Sequence, residues 1–463
     1  MILSNRLCLI LCLSAFLIVR STAFASSLRA GFATVDITPP LGLEMAGFGP
    51  YYDRRATGIH DPLMAHAVVM ETDGRRIAIV ACDLAAVSQA LTQKVREEVA
   101  RTTGIPGQRV MVNASHTHSG PAVPRWIGWG AQDEKYLNEL PGKIAQAVED
   151  ASHNLHVVDL YYGEAPVEGV AANREYENGP TDKSVRVLKF MQGTKLLGFI
   201  VNYSVHNVLM SEENRQYSKD LTGVAIEKVL RDYPGAVGVY LQGSCGDINP
   251  VGRINHVPLA ECLASLERLS DLFAQDIREA VKNASPMKVE RVDMDKTGIS
   301  LPLVPTDRAL VSRKMELDDE LLKEPNLSLR ARNLLRFDRD SSRALFDRFR
   351  RLPLNERDTE IQVALIQNVL IASDPGEVFN TFADQISQML PDWKVWVAGY
   401  TNDYIGYIPT PDKYDLEKEF SYPAYFTPMI NGDFRYREDV GDVLVQHLVR
   451  FARHVCSRPS DGN

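Results

Sequence analysis

Four segments of this chain carry residue types that together can bind a metal and hydrolyse a bond: His116-Thr117-His118, Val205-His206, Pro375-Gly376-Glu377 and Asn402-Asp403-Tyr404-Ile405-Gly406-Tyr407. Each alone has a plain structural explanation. A His-x-His pair is a weak signal, and a single histidine such as His206 is commonly satisfied by hydrogen bonds below the surface. A carboxylate at Glu377 suits the start of the amphipathic segment bearing Phe379, Phe382, Ile386 and Leu390. Tyrosines three residues apart usually pack. As a set they meet a chemical need. A catalytic zinc takes three or four N/O ligands, keeps one position open and lowers the pKa of water there to about 7. Two histidines and a glutamate from separate loops satisfy it. On extended backbone His116 and His118 point the same way, so one can hold the ion while the other handles protons.

The elements that must position these residues follow a recurring pattern, a short β-branched run that ends in a polar loop. Six are expected as strands: Ile77 to Ala81, Val110 to Val112, Phe199 to Val201, Val237 to Leu241, Val363 to Ala372 and Val395 to Val397. Ligands of open α/β sheets bind beyond the carboxyl ends of strands, so the loops after these runs are expected to converge there. Helices are expected at Leu91 to Thr103, Glu134 to His153, Leu221 to Asp232 and Leu259 to Ala284. The fold class is therefore mixed α/β, with β-sheets flanked by helices and a metal site in the loops after strand ends. A charged segment from about Asp307 to Asp358 reads as a helical insertion, a solvated helix pair packed on the main domain rather than a lid. No internal repeat is visible in the sequence.

Composition narrows the function. The chain has 463 residues, 45% hydrophobic and 24% charged, with a formal net charge of −9. It is an acidic globular protein without the basic footprint that nucleic acid requires. Arg6, the apolar run from 7 to 19 and Ala23-Phe24-Ala25 read as an export signal cleaved after Ala25, leaving one catalytic domain over 26–463 in the periplasm or the medium. Cys82, Cys245, Cys262 and Cys456 then remain, too few for a disulfide scaffold but enough for one or two bridges.

The order and wording of the segments resemble the N-terminal catalytic domain of the neutral ceramidases, zinc amidohydrolases that cleave the N-acyl bond of ceramide. The resemblance runs from Gly31-Phe-Ala-Thr-Val-Asp-Ile-Thr-Pro39 to near Tyr422, and His116-Thr-His-Ser-Gly-Pro121 is its most specific part. It implies one Zn2+ per chain held by His116, His206, Glu377 and Tyr407. It also implies proton exchange by His118, charge stabilisation by Arg174, an orienting role for Asp247 and a later active-site tyrosine at Tyr422. Asn249 stands where the family has a serine once proposed as nucleophile, so the attacking group is expected to be activated water. Ser244 and Cys245 lie nearby without a sequence-evident base. The family's immunoglobulin-like C-terminal domain is not expected within these residues, which leaves the acyl group open. The leading expectation is hydrolysis of a small-molecule or lipid amide, with peripheral contact to membrane lipid left open and no statement about oligomeric state. The rivals are a zinc hydrolase of a non-lipid amide, ester or lactone, and a non-catalytic binding protein that keeps the fold.

Overall fold

Runs of Val, Ile and Ala with apolar residues on both sides of the pleat can be strands only if both faces of their sheet are covered, and that is how this chain uses them. The computed structural model describes residues 27–50, 52–253, 257–415, 417 and 421–458. The expected export signal lies outside these residues. The chain builds three five-stranded sheets in succession. The first uses β1 (Arg29–Asp36), β2 (Met64–Thr72), β3 (Arg75–Cys82), β4 (Val110–Ala114) and β5 (His156–Val157). The second uses β6 (Asp159–Pro166), β7 (Ser184–Gln192), β8 (Lys195–Tyr203), β9 (Val237–Gln242) and β10 (Ser285–Met287). The third uses β11 (Val292–Val304), β12 (Glu356–Ile366), β13 (Val369–Ser373), β14 (Lys394–Ala398) and β15 (Arg435–Tyr436).

The strand orders are β4-β3-β2-β1-β5, β9-β8-β7-β6-β10 and β14-β13-β12-β11-β15. In each sheet three strands run antiparallel in sequence, and a helix then crosses over to a fourth strand parallel to the third. The crossover helices are α1 (Gln89–Thr103), α3 (Asp220–Leu230) and α7 (Asn380–Met389). A second helix follows in each unit, α2 (Glu134–His153), α4 (Leu259–Lys282) and α8 (Val440–Ser457). The chain is thus one architectural unit built three times, a repeat that no residue pattern in the sequence revealed. Between β11 and β12 the third unit adds the antiparallel pair α5 (Arg308–Leu321) and α6 (Leu329–Arg348).

The three sheets share a core. Ile77 and Ile79 of the first, Leu188, Phe190 and Ile200 of the second, and Ile371 and Trp396 of the third meet in one buried cluster. The alternate residues face outward onto helices: Ala78 and Val80 pack with Val95 and Leu140, Val187 and Val201 with Leu269 and Phe273, Val363 and Leu365 with Phe382 and Leu448. Two expectations change. The run Val363 to Ala372 is a hairpin rather than one strand, because Gln367 (φ 57°) and Asn368 interrupt it with a two-residue turn. The four cysteines Cys82, Cys245, Cys262 and Cys456 are all free thiols.

Ile371 is fully buried in the shared core, whereas Leu329 is 75% exposed. Ile371→Ala should lower unfolding free energy by about 2–5 kcal/mol in a denaturant titration, and Leu329→Ala should change it by less than about 0.5 kcal/mol. Equal effects of the two would contradict the three-sheet core.

Candidate metal centre

The carboxyl ends of the third and fourth strands of the three units meet, and the chemistry-bearing residues sit there. His116 follows β4, His206 follows β8, Gly246 and Asp247 follow β9, Glu377 follows β13, and the tyrosine segment follows β14. Glu377 is not on the helix that the amphipathic pattern suggested. It belongs to a two-residue strand, Glu377–Val378, paired in parallel with Tyr407–Ile408, so that Glu377 lies directly beside Tyr407. α7 begins only at Asn380. His116 also departs from expectation, since its backbone is left-handed (φ 62°) rather than extended. It is fixed there by its N–H, which donates to Leu84 O at 2.9 Å. The turn still brings the two rings together, with His116 Nε2 and His118 Nε2 3.1 Å apart.

One ligand atom from each of His116, His206 and Glu377 lies within 4.8 Å of the others, and all three side chains are buried. His206 Nε2 is 3.1 Å and His116 Nε2 3.4 Å from Glu377 Oε2. Ligands bonded at ~2.1 Å in tetrahedral geometry stand ~3.4 Å apart, so this spacing fits a small divalent ion. The tautomers fit as well. His116 Nδ1 donates to Ala85 O at 2.6 Å and His206 Nδ1 to Ile248 O at 3.0 Å, which turns both Nε2 lone pairs inward. Burial holds the His206 imidazole down at about 4, and Arg174 adds to the effect, so it is a neutral donor at pH 7. Burial alone would raise the Glu377 carboxyl, but the two imidazoles beside it outweigh this and hold it well below its ordinary range. Tyr404 donates to Glu377 Oε1, and Tyr400 donates to Oε2 at 3.3 Å.

Tyr407 is buried beside Glu377 through the backbone pairing. Arg174 Nη2 donates to the Tyr407 hydroxyl at 2.7 Å and to Gly246 O at 2.7 Å. His118 Nδ1 is buried without a partner, and enclosure together with its histidine neighbours pushes its pKa well down. Gly47 (φ 88°) makes the enclosure close, because a Cβ there would meet His118 Nδ1 at 2.3 Å. Tyr422 is 40% exposed with its ring 5.9 Å from that of Tyr407. The structure thus brings His116, His118, Arg174, His206, Glu377, Tyr407 and Tyr422 together. Asp247 stands behind them. Its carboxylate accepts from Asn173 Nδ2 and from the Asn380 N–H, both at 2.7 Å, and its carbonyl accepts the Arg174 N–H at 2.8 Å. It braces the arginine loop against the start of α7.

Beside the metal residues opens a cleft of about 630 Å³. Its lining mixes apolar Phe48, Pro50, Trp129, Val208, Tyr422 and Phe426 with polar Arg174, Glu175, Glu212, Asn249 and Arg253, and Arg253 lies over the Phe48 ring. The sequence reading missed several participants. Tyr400 stacks on His116 with centroids 4.1 Å apart, and its adjacency to Gly399 after a strand end was the available signal. Arg54, 1% exposed, holds His118 O at 2.7 Å, and Phe48 packs edge-on against His118 at 4.9 Å. The Gly-rich stretch 47–49 marked that loop.

Neither side-chain nucleophile near Asn249 is equipped. Cys245 touches the Tyr400 hydroxyl and burial pushes its thiol well up. Ser244 is fully buried, its hydroxyl donating to Asp374 Oδ2 at 3.3 Å. Asp374, in the turn that delivers Glu377, also accepts from the Gly376 N–H at 3.1 Å, and burial pushes its carboxyl up from 3.8 to about 7. A carboxyl that keeps its proton longer when folded favours the folded state at low pH, and that contribution is lost as pH rises from about 4 to about 7. Asp374→Asn should therefore remove one proton's worth of the stability decline across this window. An unchanged stability–pH slope would show that Asp374 is ionised throughout it.

Three comparisons place this architecture. Residues 28–256 match the family model "Neutral/alkaline non-lysosomal ceramidase, N-terminal". The neutral ceramidase of Pseudomonas aeruginosa is 30% identical over 249 residues, covering 48% of this chain and 37% of that relative. The neutral ceramidase of Drosophila melanogaster is 26% identical over 275 residues, covering 51% of this chain and 38% of that relative. The chain therefore matches little more than a third of the length of these relatives. The crystal structure of the Pseudomonas aeruginosa neutral ceramidase superposes with a TM-score of 0.70 at 20% identity, over 93% of this chain and 75% of that one, which shows a shared fold. Residues 28–256 are thus similar in sequence to the N-terminal domain of the neutral/alkaline non-lysosomal ceramidase family, and the fold around them is shared with a neutral ceramidase.

Proposed function

We propose that this chain is a zinc-dependent amidohydrolase that cleaves the N-acyl amide of ceramide or a ceramide-like lipid. The observation that carries the reading is the convergence of His116 Nε2, His206 Nε2 and a Glu377 carboxylate oxygen at one edge of an open cleft. His116, His206, Glu377 and Tyr407 would hold the ion. When bound, zinc would polarise an amide carbonyl and lower the pKa of water. The remaining work falls to the protein. In this reading His118, whose Nε2 lies 3.1 Å from His116 Nε2, would take a proton from the attacking water and return it to the amine nitrogen as the C–N bond breaks. Arg174, tied to the Tyr407 hydroxyl and Gly246 O, would offer a fixed cation to the carbonyl oxygen as it gains negative charge. Asp247 keeps that arginine in position, and the half-exposed ring of Tyr422 walls the cleft beside it.

A second reading rests on the polar residues that line the cleft. Glu175, Asn249 and Arg253 face the substrate space as directly as the aromatic wall does, which suits an amine half richer in polar groups than a sphingoid base. Hydrolysis of a non-lipid amide, ester or lactone is the alternative it supports.

His116→Ala should abolish stoichiometric zinc and cut amide hydrolysis at least about a thousandfold, with an unchanged circular dichroism spectrum. Chelation of the native protein should do the same, reversed by added zinc. Full activity in metal-free protein would eliminate the mechanism. Ceramide, short N-acyl amines and simple esters assayed side by side should show the highest kcat/KM for ceramide. A ranking led by the short amines would transfer the assignment to the second reading.

A further inference from the structure

The third unit differs from the first two in what joins its first and second strands. In the first unit that connection carries Phe48, and in the second it carries Arg174 and Glu175, all of which line the cleft. In the third it is the helix pair α5–α6. This pair packs behind the cleft wall: Phe337 of α6 lies 5.2 Å from Trp129 and 4.9 Å from Phe426, centroid to centroid, and both partners line the cleft.

The outward surface of the pair is unlike the rest of the protein. Among the described residues eleven large apolar side chains are exposed, and six of them, Leu310, Leu317, Leu321, Leu329, Leu334 and Leu352, fall on this pair or just after it. Leu310, Leu317 and Leu321 recur at intervals of seven and four, one stripe of α5. Such a concentration marks an interaction surface rather than the scattered leucines any protein shows. Exposed cations stand among them at Arg313, Arg330 and Arg351, while Lys323 and Arg350, also exposed, pair with Glu320 and Asp347. From Leu329 to Leu352 the chain holds eight arginines against three aspartates, although its formal net charge is −9. The acids of α5 are largely engaged locally, Asp318 with Lys314, Asp319 with Arg339 and Glu320 with Lys323. At the base of the pair the stripe runs from Leu310 into an apolar groove of about 450 Å³ lined by Leu345, Tyr425, Met429 and Phe434. The groove backs onto the segment whose Tyr422 and Phe426 face the cleft.

We propose that α5–α6 docks the protein on an anionic lipid surface, its leucines entering the boundary between headgroups and acyl chains and its arginines meeting lipid phosphates. Stable interfacial binding needs both apolar burial and cationic attraction, and the pair supplies both. A second copy of the chain fits less well, because a two-fold contact through this face would bring its arginine-rich segments against each other. The purpose of docking, to hold the cleft beside its lipid substrate, rests on the lipid-amide reading above, whereas the docking itself is measured without it.

The test is co-sedimentation of the full chain with vesicles of phosphatidylcholine alone and of phosphatidylcholine mixed equally with phosphatidylglycerol. Binding should favour the anionic vesicles and weaken with salt. Leu317→Glu with Leu329→Glu, at positions 58% and 75% exposed, should raise the apparent Kd more than about tenfold. The same variant should hydrolyse a soluble short-chain N-acyl amine at the native rate. Arg330→Gln with Arg351→Gln should reduce the preference for anionic vesicles. Native protein that stays in the supernatant with both vesicles, or a leucine variant that binds as well as native, overturns the proposal. So does a native dimer in light scattering that the leucine variant splits. Vesicle binding lost in the variant while neither protein hydrolyses any amide would uphold docking and count against the amide reading instead.

Discussion

A carboxylate buried to 3% exposure is tolerable as an ion only if donors surround it, and the requirement to satisfy Glu377 organises the centre of this protein. Its oxygens take the Tyr404 and Tyr400 hydroxyls and face the His116 and His206 rings. Those contacts come from all three architectural units. The site therefore cannot be assembled by any one of them, and the packing of three sheets on a common core is what fixes the spacing of the candidate ligand atoms.

The rest of the fold relays that constraint. Backbone pairing of Glu377–Val378 with Tyr407–Ile408 sets carboxylate and phenol side by side without relying on long side chains. Gly246 makes the approach feasible, since a Cβ there would lie 2.4 Å from Glu377 O. Its carbonyl then anchors Arg174, whose guanidinium returns to Tyr407. Each group that handles charge is held by a neighbour that is itself held, which is how a buried polar network gains rigidity rather than cost.

Left-handed backbone also occurs at this place. His116 and Tyr400 both have left-handed backbones, at φ 62° and 53°, and their rings stack on one another. A non-glycine residue in that region costs about 1–3 kcal/mol, and it persists where surrounding contacts over-determine it. Here the backbone bond from His116 N to Leu84 O and the fully buried stack serve that purpose.

Much of this was legible in the sequence. The β-branched runs marked the third and fourth strands of each sheet, with β12 joined to β13, because both faces of those strands are buried, and the helix Glu134–His153 matched its periodicity to the residue. The metal-binding candidates could be named because histidine and carboxylate at strand ends have few uses beyond hydrogen bonding and coordination. Local patterns also misled. The amphipathic stretch after Glu377 pointed to a helix start, although pairing with a strand thirty residues later claims that residue. The run from Val363 read as one strand because its turn spans only two residues. Tyr400, Arg54 and Phe48 went unseen because their parts depend on what packs against them. The threefold architecture was invisible because hydrogen-bond topology repeats without any repeat of residues. The sequence by itself determined the chemistry available and where the chain could be extended or helical; the tertiary structure decided which groups share a site, because contacts across hundreds of residues follow from sheet packing that no local pattern encodes.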